Sequence, residues 1–360
     1  MDFWLTQEQQ MLRDSARRFL AEGKASGNGD RWSEMAELGW LAMAIADEDD
    51  GLGSEFEDIV LLAEEIGRAL APESLTLGSV VPARIIGASS SGPQRETLLA
   101  AIASGELRFA TAFDERNNRY DWQRPDTTAN ATSTGWKLSG SKTLVAGGAV
   151  ADRLVVSARL GEAPETLALF VIDTTLPGIT RREYQTIDGA SVADLDFDRV
   201  ALNASTLLLK GAAAAECLAQ SFDEAVVLLS AEALGWMDRA IELTVEYIKV
   251  REQFGRPLAE FQALQHSVAE MYIDAESAHS IVCMAMAALH QPAGDRRRAV
   301  SACKVKAMAA ARRSIGMAVH LHGGMGITCE YPIGHYLQRV TVASRCLGDE
   351  HFHLERYVGR

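Results

Sequence analysis

The spacing of apolar residues changes twice along the chain, and this change constrains the fold more than any other sequence feature. Up to about residue 105, apolar side chains recur three and four positions apart, as in amphipathic helices. Thr6, followed three residues later by Gln9, predicts a capping box at the start of the first helix. Short β-branched or alternating runs broken by turns follow, namely RFATAF, TGWKLSGSKTLVA, RLVVSARL, TLALFVID and LDFDRVAL. Helical spacing returns after about residue 205. This order predicts a mainly α protein with a small central antiparallel β domain. The expected domains are an N-terminal helical domain (1–106), a β domain (107–205) and a C-terminal helical bundle (206–360).

Composition excludes several classes of partner and location. The 360 residues carry a formal net charge of −14, which argues against nucleic acid or an anionic membrane as a partner. Five cysteines without CxxC spacing suggest neither a disulfide framework nor a zinc site, and they fit a reducing compartment. The start, MDFWLTQEQQ, lacks the pattern of a signal peptide, and no apolar stretch approaches the roughly 20 residues of a membrane span. We therefore expect a soluble cytoplasmic protein.

The segment from Tyr247 to Met271 predicts a helix, a sharp turn and a second helix. Gly255 is expected to cap the first helix in a left-handed conformation, and Pro257 cannot continue that helix. The apolar positions of the first helix are Leu229, Ala233, Met237, Ala240, Ile241 and Ile248, and those of the second are Phe261, Leu264, Val268 and Met271.

Two interpretations of Arg251 follow from its predicted place in the last turn of the first helix. A cation there complements the helix dipole. Alternatively, a guanidinium group beside an exposed aromatic ring, Phe254, at a glycine turn suits a phosphate-bearing cofactor with a planar ring.

Two long motifs carry a resemblance to a known family. REQFGRPLAEFQALQH and HLHGGMGITCEYPIGHYLQR resemble, in the same order and at a similar separation, the two signatures of the acyl-CoA dehydrogenase family. These flavoproteins desaturate acyl-CoA thioesters between Cα and Cβ. The AELGW and DGLG elements also have counterparts there, so the resemblance covers nearly the whole chain. It implies a helical domain, a β barrel or sandwich, and a four-helix bundle.

The resemblance implies FAD as the cofactor. In the family, residues of both motifs hold the ADP half of the FAD that belongs to the neighbouring subunit. A tight loop between helices would account for the glycines equally well. The matching positions in this chain are Arg251, Phe254, Gln262, His320, Gly323 and Gly324.

The half of the site that faces the flavin ring departs from the family pattern. The family has a threonine-glutamate-proline turn and then tryptophan-x-threonine, whose hydroxyl and amide face the N5 edge of the flavin. This chain has Ala112-Phe113-Asp114-Glu115-Arg116 and Leu144-Val145-Ala146. Leu144 cannot stack as an indole does, and Ala146 has no side-chain donor.

The family's catalytic glutamate has no direct counterpart. Most members carry it in a Glu-Gly-Thr turn, which here reads Leu347-Gly348-Asp349, and a minority carry it at a place that falls on Ala225 and Val226. Glu224 and Asp349 are candidate bases, although both are out of register. Each also has a simpler interpretation, Glu224 as a first-turn carboxylate favoured by the helix dipole and Asp349 as a solvated loop acid.

These departures predict that the chain works with a second, related subunit, which supplies the flavin-ring pocket and the catalytic glutamate. The residues that would bind the ADP half of a neighbouring subunit's FAD match the family pattern. The residues that would contact the ring of the chain's own flavin do not match it. The chain looks similar to the less catalytic subunit of bacterial heteromeric dehydrogenases that shorten steroid side chains. The resemblance implies an acyl-CoA substrate and an electron acceptor such as electron-transfer flavoprotein. The alternatives are a homotetrameric dehydrogenase with Glu224 or Asp349 as a displaced base, and a non-catalytic acyl-CoA-binding protein.

Overall fold

The computed structural model describes residues 5–26, 31–118, 120–161, 166–328 and 330–359. They fold into two compact units. The first, called here the helical unit, comprises the described residues of Met1–Gly27, Glu57–Ala71 and Val226–Arg360. The second, called the sheet unit, comprises those of Asn28–Phe56 and Pro72–Ala225. The longest helix, α6 (Ala212–Val250), begins in the sheet unit and continues into the helical unit.

The sheet unit combines short helices with one β-sheet. Its other α-helices are α2 (Arg31–Glu37), α4 (Val81–Gly87) and α5 (Pro93–Ala103). Its strands are β1 (Phe109–Ala112), β2 (Thr128–Ala131), β3 (Gly135–Ala146), β4 (Arg153–Leu160), β5 (Leu167–Asp173), β6 (Ile179–Gln185), β7 (Ser191–Asn203) and β8 (Leu207–Lys210).

The sheet is mostly antiparallel, with strand order β6-β7-β3-β2-β4-β5-β8. β1 and β2 both pair with β4 in parallel. The alternating runs in the sequence predicted β1, β3, β4, β5 and β7, and the predicted antiparallel β domain is confirmed. β2, β6 and β8 were not predicted, because β2 and β8 are only four residues long and β6 has no buried residue that would mark a core face.

The helical unit contains the remaining helices of the described chain. They are α1 (Gln7–Ser26), α3 (Phe56–Ala69), α7 (Gln262–Ala288), α8 (Ala293–His322), α9 (Ile333–Ala343) and α10 (Glu350–Val358). A capping box begins α1: the Thr6 amide donates to Gln9 Oε1 and the Gln9 amide to Thr6 Oγ1, both at 3.2 Å. Within the described part of the chain, every helix is too short or too polar to cross a membrane.

Two glycines allow the backbones of α3 and α6 to touch. A Cβ atom added at Gly67 would lie 2.2 Å from the carbonyl oxygen of Glu232, and one added at Gly235 would lie 2.0 Å from that of Glu64. Neither distance is possible for a real side chain. The close crossing of α3 and α6 therefore requires glycine at both positions.

The predicted end of α6 was wrong. The helix ends at Val250, and a two-residue hairpin follows, made by β9 (Glu252–Gln253) and β10 (Arg256–Pro257). Phe254 and Gly255 form its turn with φ of +54° and +79°. Two successive positive φ angles are typical of a type I′ turn between antiparallel strands. Gly255 thus shapes a hairpin, not a helix cap.

The glycine crossing yields a stability prediction. We expect Gly235→Ala to lower the free energy of unfolding by about 1–3 kcal/mol, because the added methyl group must push α3 away from α6. Chemical denaturation monitored by circular dichroism measures the change. Gly294→Ala in α8 is the matched control, since its Cβ meets no atom within 4 Å and alanine favours the helix. Equal stabilities for the Gly235→Ala variant and the wild type would contradict the prediction.

Candidate functional site

The predicted ADP-side residues lie on the exposed surface of the helical unit. Arg251 directly follows α6 and sits at the base of the hairpin, where its carbonyl accepts a hydrogen bond from the Leu258 amide at 2.8 Å. Phe254, at the hairpin tip, is 91% exposed and has its ring centroid 6.1 Å from that of Phe261. Gln262 is the first residue of α7 and is also exposed. The hairpin and the start of α7 therefore expose a cation, an aromatic ring and an amide within one short segment of the chain.

These polar side chains have unused hydrogen-bonding capacity. Among the described residues, the side chains of Arg251, Gln262 and His320 form no hydrogen bond or ion pair. Arg256, on the same hairpin, stacks instead on the Phe261 ring at 4.1 Å. The free guanidinium and amide groups can bind an anionic group from outside the chain.

An aromatic cluster brings the two sequence motifs together. The ring of Tyr247, in the last turn of α6, stacks on that of His322 with centroids 4.4 Å apart. Its hydroxyl donates to the His322 carbonyl oxygen at 3.3 Å, and Tyr331 contacts the His322 ring at 4.8 Å. The glycine turn after α8 is thereby fixed relative to the end of α6, which carries Arg251.

The glycine turn itself is open. A Cβ atom at Gly323 or Gly324 would meet no described atom within 4 Å, although Gly323 needs glycine for its φ of +57°. Gly326 differs, because a Cβ there would lie 2.6 Å from the Val319 carbonyl oxygen. Packing within the chain therefore explains Gly326 but not Gly324. The space over Gly324 fits a ligand group that approaches the backbone closely, as the ADP half of FAD would.

The segment Leu144-Val145-Ala146, which would face the flavin ring, has an irregular backbone and lacks the side chains that the family pattern predicts. The pairing of β3 with β7 shifts register between Lys142 and Val145, so Leu144 lies in a β-bulge with φ +54°. Its amide donates to Asp194 Oδ1 at 3.2 Å, and its side chain is 55% exposed. Ala146, two residues on, adds no donor. The residues present do not reproduce the family's side-chain contacts to the flavin ring.

A buried ion pair beneath this bulge was missed by the sequence analysis. Lys142 Nζ donates to Glu115 Oε1 at 2.7 Å and to Ser157 Oγ at 2.9 Å, and both charged side chains are buried. Burial alone would raise the pKa of Glu115, but the Lys142 ammonium and the donors of Thr127 lower it below its usual value. The sequence does contain a signal for this buried charge, because Lys142 lies on the same inward-facing side of β3 as the apolar Leu138.

Glu224, the first candidate base, is held by two neighbours. Its Oε2 accepts from Arg84 Nε at 3.0 Å and its Oε1 from Gln220 Nε2 at 3.0 Å. Arg84 also donates to the Ala44 carbonyl oxygen at 3.3 Å. Glu224 is 8% exposed. Both carboxylate oxygens are therefore occupied within the sheet unit.

Asp349, the second candidate base, caps a helix. Its side chain accepts a hydrogen bond from the Phe352 amide at 2.9 Å, which makes it the N-cap of α10. Leu347 stands at the family's glutamate position and is buried with φ +57°. The backbone there is strained, as is common at functional sites, yet the side chain cannot accept a proton.

A buried histidine and a buried lysine hold this loop in the helical unit. His353 Nε2 donates to the Leu347 carbonyl oxygen at 2.7 Å, and its Nδ1 faces Ser301 Oγ at 3.4 Å. Lys304 donates to the Ala343 carbonyl oxygen at 2.7 Å. Burial, reinforced by the Lys304 charge, lowers the pKa of His353 to about 3. His353 is therefore neutral in the folded protein at physiological pH.

Comparison with protein families matches three domain models along the chain. The acyl-CoA dehydrogenase N-terminal domain matches residues 6–106, the middle domain residues 110–200 and the C-terminal domain residues 215–358. The matches leave few residues uncovered and follow the order of the family's domains.

Individual relatives agree with this. The acryloyl-CoA reductase (NADH) of Anaerotignum propionicum is 30% identical, covering 92% of this chain and 89% of the relative. A short-chain specific acyl-CoA dehydrogenase of Clostridium acetobutylicum is 26% identical, covering 92% of each. The structure of a variant of the Tcur3481–Tcur3483 steroid ACAD superposes with a TM-score of 0.85 at 29% identity, covering 98% of this chain and 96% of the other.

The buried histidine yields a pH prediction. The unfolded chain binds a proton at His353 below its ordinary pKa of about 6.5, whereas the folded protein excludes that proton until about pH 3. The group's contribution to stability is thus complete above about pH 6.5 and falls by about 1.4 kcal/mol per pH unit as the pH drops towards 3. His353→Gln, which can still donate to the Leu347 carbonyl oxygen, should show a shallower loss of stability. Urea unfolding between pH 4 and 7 measures it.

His290→Gln is the control for this measurement, because His290 is exposed just beyond the end of α7. Its pH dependence should follow that of the wild type. The prediction fails if His353→Gln and wild type lose stability in parallel.

Proposed function

Because this chain belongs to the acyl-CoA dehydrogenase family, we propose that it is one subunit of an FAD-dependent acyl-CoA oxidoreductase and supplies the ADP side of a shared FAD site. A second, related subunit supplies the flavin-ring pocket and the catalytic glutamate. The observation that carries the proposal is the contrast between the two halves. Arg251, Gln262 and the open turn at Gly324 are free to receive a ligand, while Leu144, Ala146 and Leu347 replace the reactive side chains.

The chemistry of the family explains why this contrast matters. When bound, FAD accepts the hydride that leaves Cβ of the thioester. A carboxylate must remove the proton from Cα, and donors must polarise the thioester carbonyl. In this chain Leu347 cannot take a proton, and both oxygens of Glu224 are engaged by Arg84 and Gln220. Arg251, with its free guanidinium group, can bind the FAD pyrophosphate.

The proposed substrate is an acyl-CoA with a bulky acyl group, such as a steroid side chain. The support is the similarity to the Tcur3481–Tcur3483 steroid ACAD, which is named for two proteins and matches over nearly the full length of both chains. An electron acceptor such as electron-transfer flavoprotein completes the proposal. The domain boundaries after residues 106 and 205 also remain predictions.

Two other functions compete with this one. The first is a homotetrameric dehydrogenase in which Glu224 acts as a displaced base. The ion pair between Arg84 and Glu224 is the observation in favour of this alternative. A protein that binds acyl-CoA without flavin would keep the fold but would not need the free donors at Arg251 and Gln262. Of the three experiments below, the flavin stoichiometry separates all three functions.

Flavin stoichiometry tests the shared site. The chain is purified alone and co-expressed with an acyl-CoA dehydrogenase-like protein encoded beside it, and FAD per chain is measured from visible absorption. We expect about one FAD per two chains in the complex and a colourless protein alone. Full flavin on the lone chain that an acyl-CoA can reduce would support the homotetramer. A colourless complex that binds acyl-CoA would support the binding protein.

In the same complex, Arg251→Gln should weaken FAD binding by roughly 10- to 100-fold, since a charge-assisted hydrogen bond contributes about 1.5–3 kcal/mol. Lys249→Gln is the matched control, because Lys249 is an exposed cation in the last turn of α6. Equal FAD affinities for the Arg251→Gln complex and the wild type would remove Arg251 from the site.

Glu224 has its own test. A general base contributes roughly 10²- to 10⁴-fold to a rate, so its removal is easily detected. We expect Glu224→Gln to change kcat of the complex by less than about threefold, because the partner's glutamate performs the proton transfer. A fall of a hundredfold or more in kcat, with FAD content and thermal stability unchanged, would identify Glu224 as the base. That result would contradict the proposal that the partner subunit supplies the base.

A further inference from the structure

We propose that Glu64, Asp238 and His279 form a binding site for a divalent transition-metal cation, with Zn²⁺ as the best-suited ion. The three residues lie on α3, α6 and α7 of the helical unit, and one potential ligand atom from each lies within 4.8 Å of the others. None of them belongs to the proposed flavin site. An imidazole with two carboxylates is a donor set that Zn²⁺ accepts.

The spacing of the donors agrees with a four-coordinate ion. His279 Nε2 and Asp238 Oδ2 are 3.6 Å apart. Two ligands of a tetrahedral zinc ion with bonds of about 2.1 Å are separated by about 3.4 Å, so this edge is close to the required length. Glu64 needs only a small side-chain movement to complete the third corner. The side chains of His279 and Asp238 are each 33% exposed, which allows water to occupy the open position.

The backbone holds two of the three donors in place. Gly235 contacts the carbonyl oxygen of Glu64 directly, and Asp238 lies three residues further along α6, about one turn away. The crossing of α3 and α6 cannot slide without a clash at Gly67 or Gly235. A metal site gains affinity when its ligands are positioned before the ion arrives.

Lysine and arginine side chains of the described chain do not pair with the carboxylates of this cluster. Arg17, the cation on the neighbouring helix, pairs with Glu65 at 2.8 Å, and Asp238 pairs with His279 instead. The carboxylates are therefore not tied to a permanent cation. A divalent cation can bind them by displacing the protons that the cluster holds.

The histidine of the cluster discriminates between divalent cations. Imidazole nitrogen is a common zinc ligand, whereas Mg²⁺ and Ca²⁺ prefer oxygen ligands. His279 therefore favours Zn²⁺ over Mg²⁺ or Ca²⁺. Cys283 follows His279 by four residues on α7, but its thiol lies outside the group of three ligand atoms.

Metal titration of the purified protein tests the site. After treatment with a chelator, the wild type is titrated with Zn²⁺ by calorimetry, and its melting temperature is recorded with and without Zn²⁺. We expect binding of one Zn²⁺ per chain and a rise in melting temperature. His279→Gln and the nearly isosteric Asp238→Asn should each weaken Zn²⁺ binding by at least tenfold and abolish the rise.

His290→Gln is the matched control, because His290 is exposed just beyond the end of α7 and lies outside the cluster. Circular dichroism of each metal-free variant confirms that it is folded. A wild type that binds no Zn²⁺, or a control variant that loses as much affinity as His279→Gln, would overturn the proposal. Flavin content, measured on the same samples, should not change, since the two sites share no residue.

Discussion

The ring-side half of the candidate site depends on the buried ion pair between Lys142 and Glu115. Two charges without access to water are costly, and this pair is tolerated because further hydrogen bonds satisfy its atoms. Lys142 also donates to Ser157 on β4, and Glu115 accepts from the Thr127 amide at 3.0 Å. The pair thus joins β3, β4 and the segments that follow β1 and precede β2. Loss of either partner would leave an uncompensated charge below the bulge that carries Leu144.

Three non-glycine residues of the candidate site have a strained backbone. Leu144, Phe254 and Leu347 all have positive φ, which costs a non-glycine residue on the order of 1–3 kcal/mol. Each stands in one of the motifs that resemble the family's cofactor or catalytic segments. Phe254 keeps the expected side chain, whereas Leu144 and Leu347 do not. Two of the three positions therefore hold a strained backbone conformation without the family's side chain.

The sequence allowed much of the fold to be predicted, but not the pairing of distant polar groups. The capping box of Thr6 and Gln9 and five of the strand runs follow from local rules, and they were confirmed. The end of α6 was misjudged because Gly255 serves equally well as a helix cap and as the second residue of a type I′ turn. Only the pairing of the flanking strands distinguishes the two. Lys142, Glu115 and Ser157 lie far apart in the chain, so no local pattern connects them.

The role of Glu224 could not be predicted from the sequence either, because it depends on the exact register of one helix residue. A register shift of one position turns a helical side chain by about 100°. Ala225 and Val226, where the minority position falls, are fully buried, and a carboxylate there would need a partner inside the protein. Glu224 lies one step round the helix, where Arg84 and Gln220 can reach it. The helix therefore accommodates an acid beside the minority position of the family's base, but as part of an ion pair. Proton abstraction by Glu224 would require that pair to open, a step that the proposed glutamate of a partner subunit avoids.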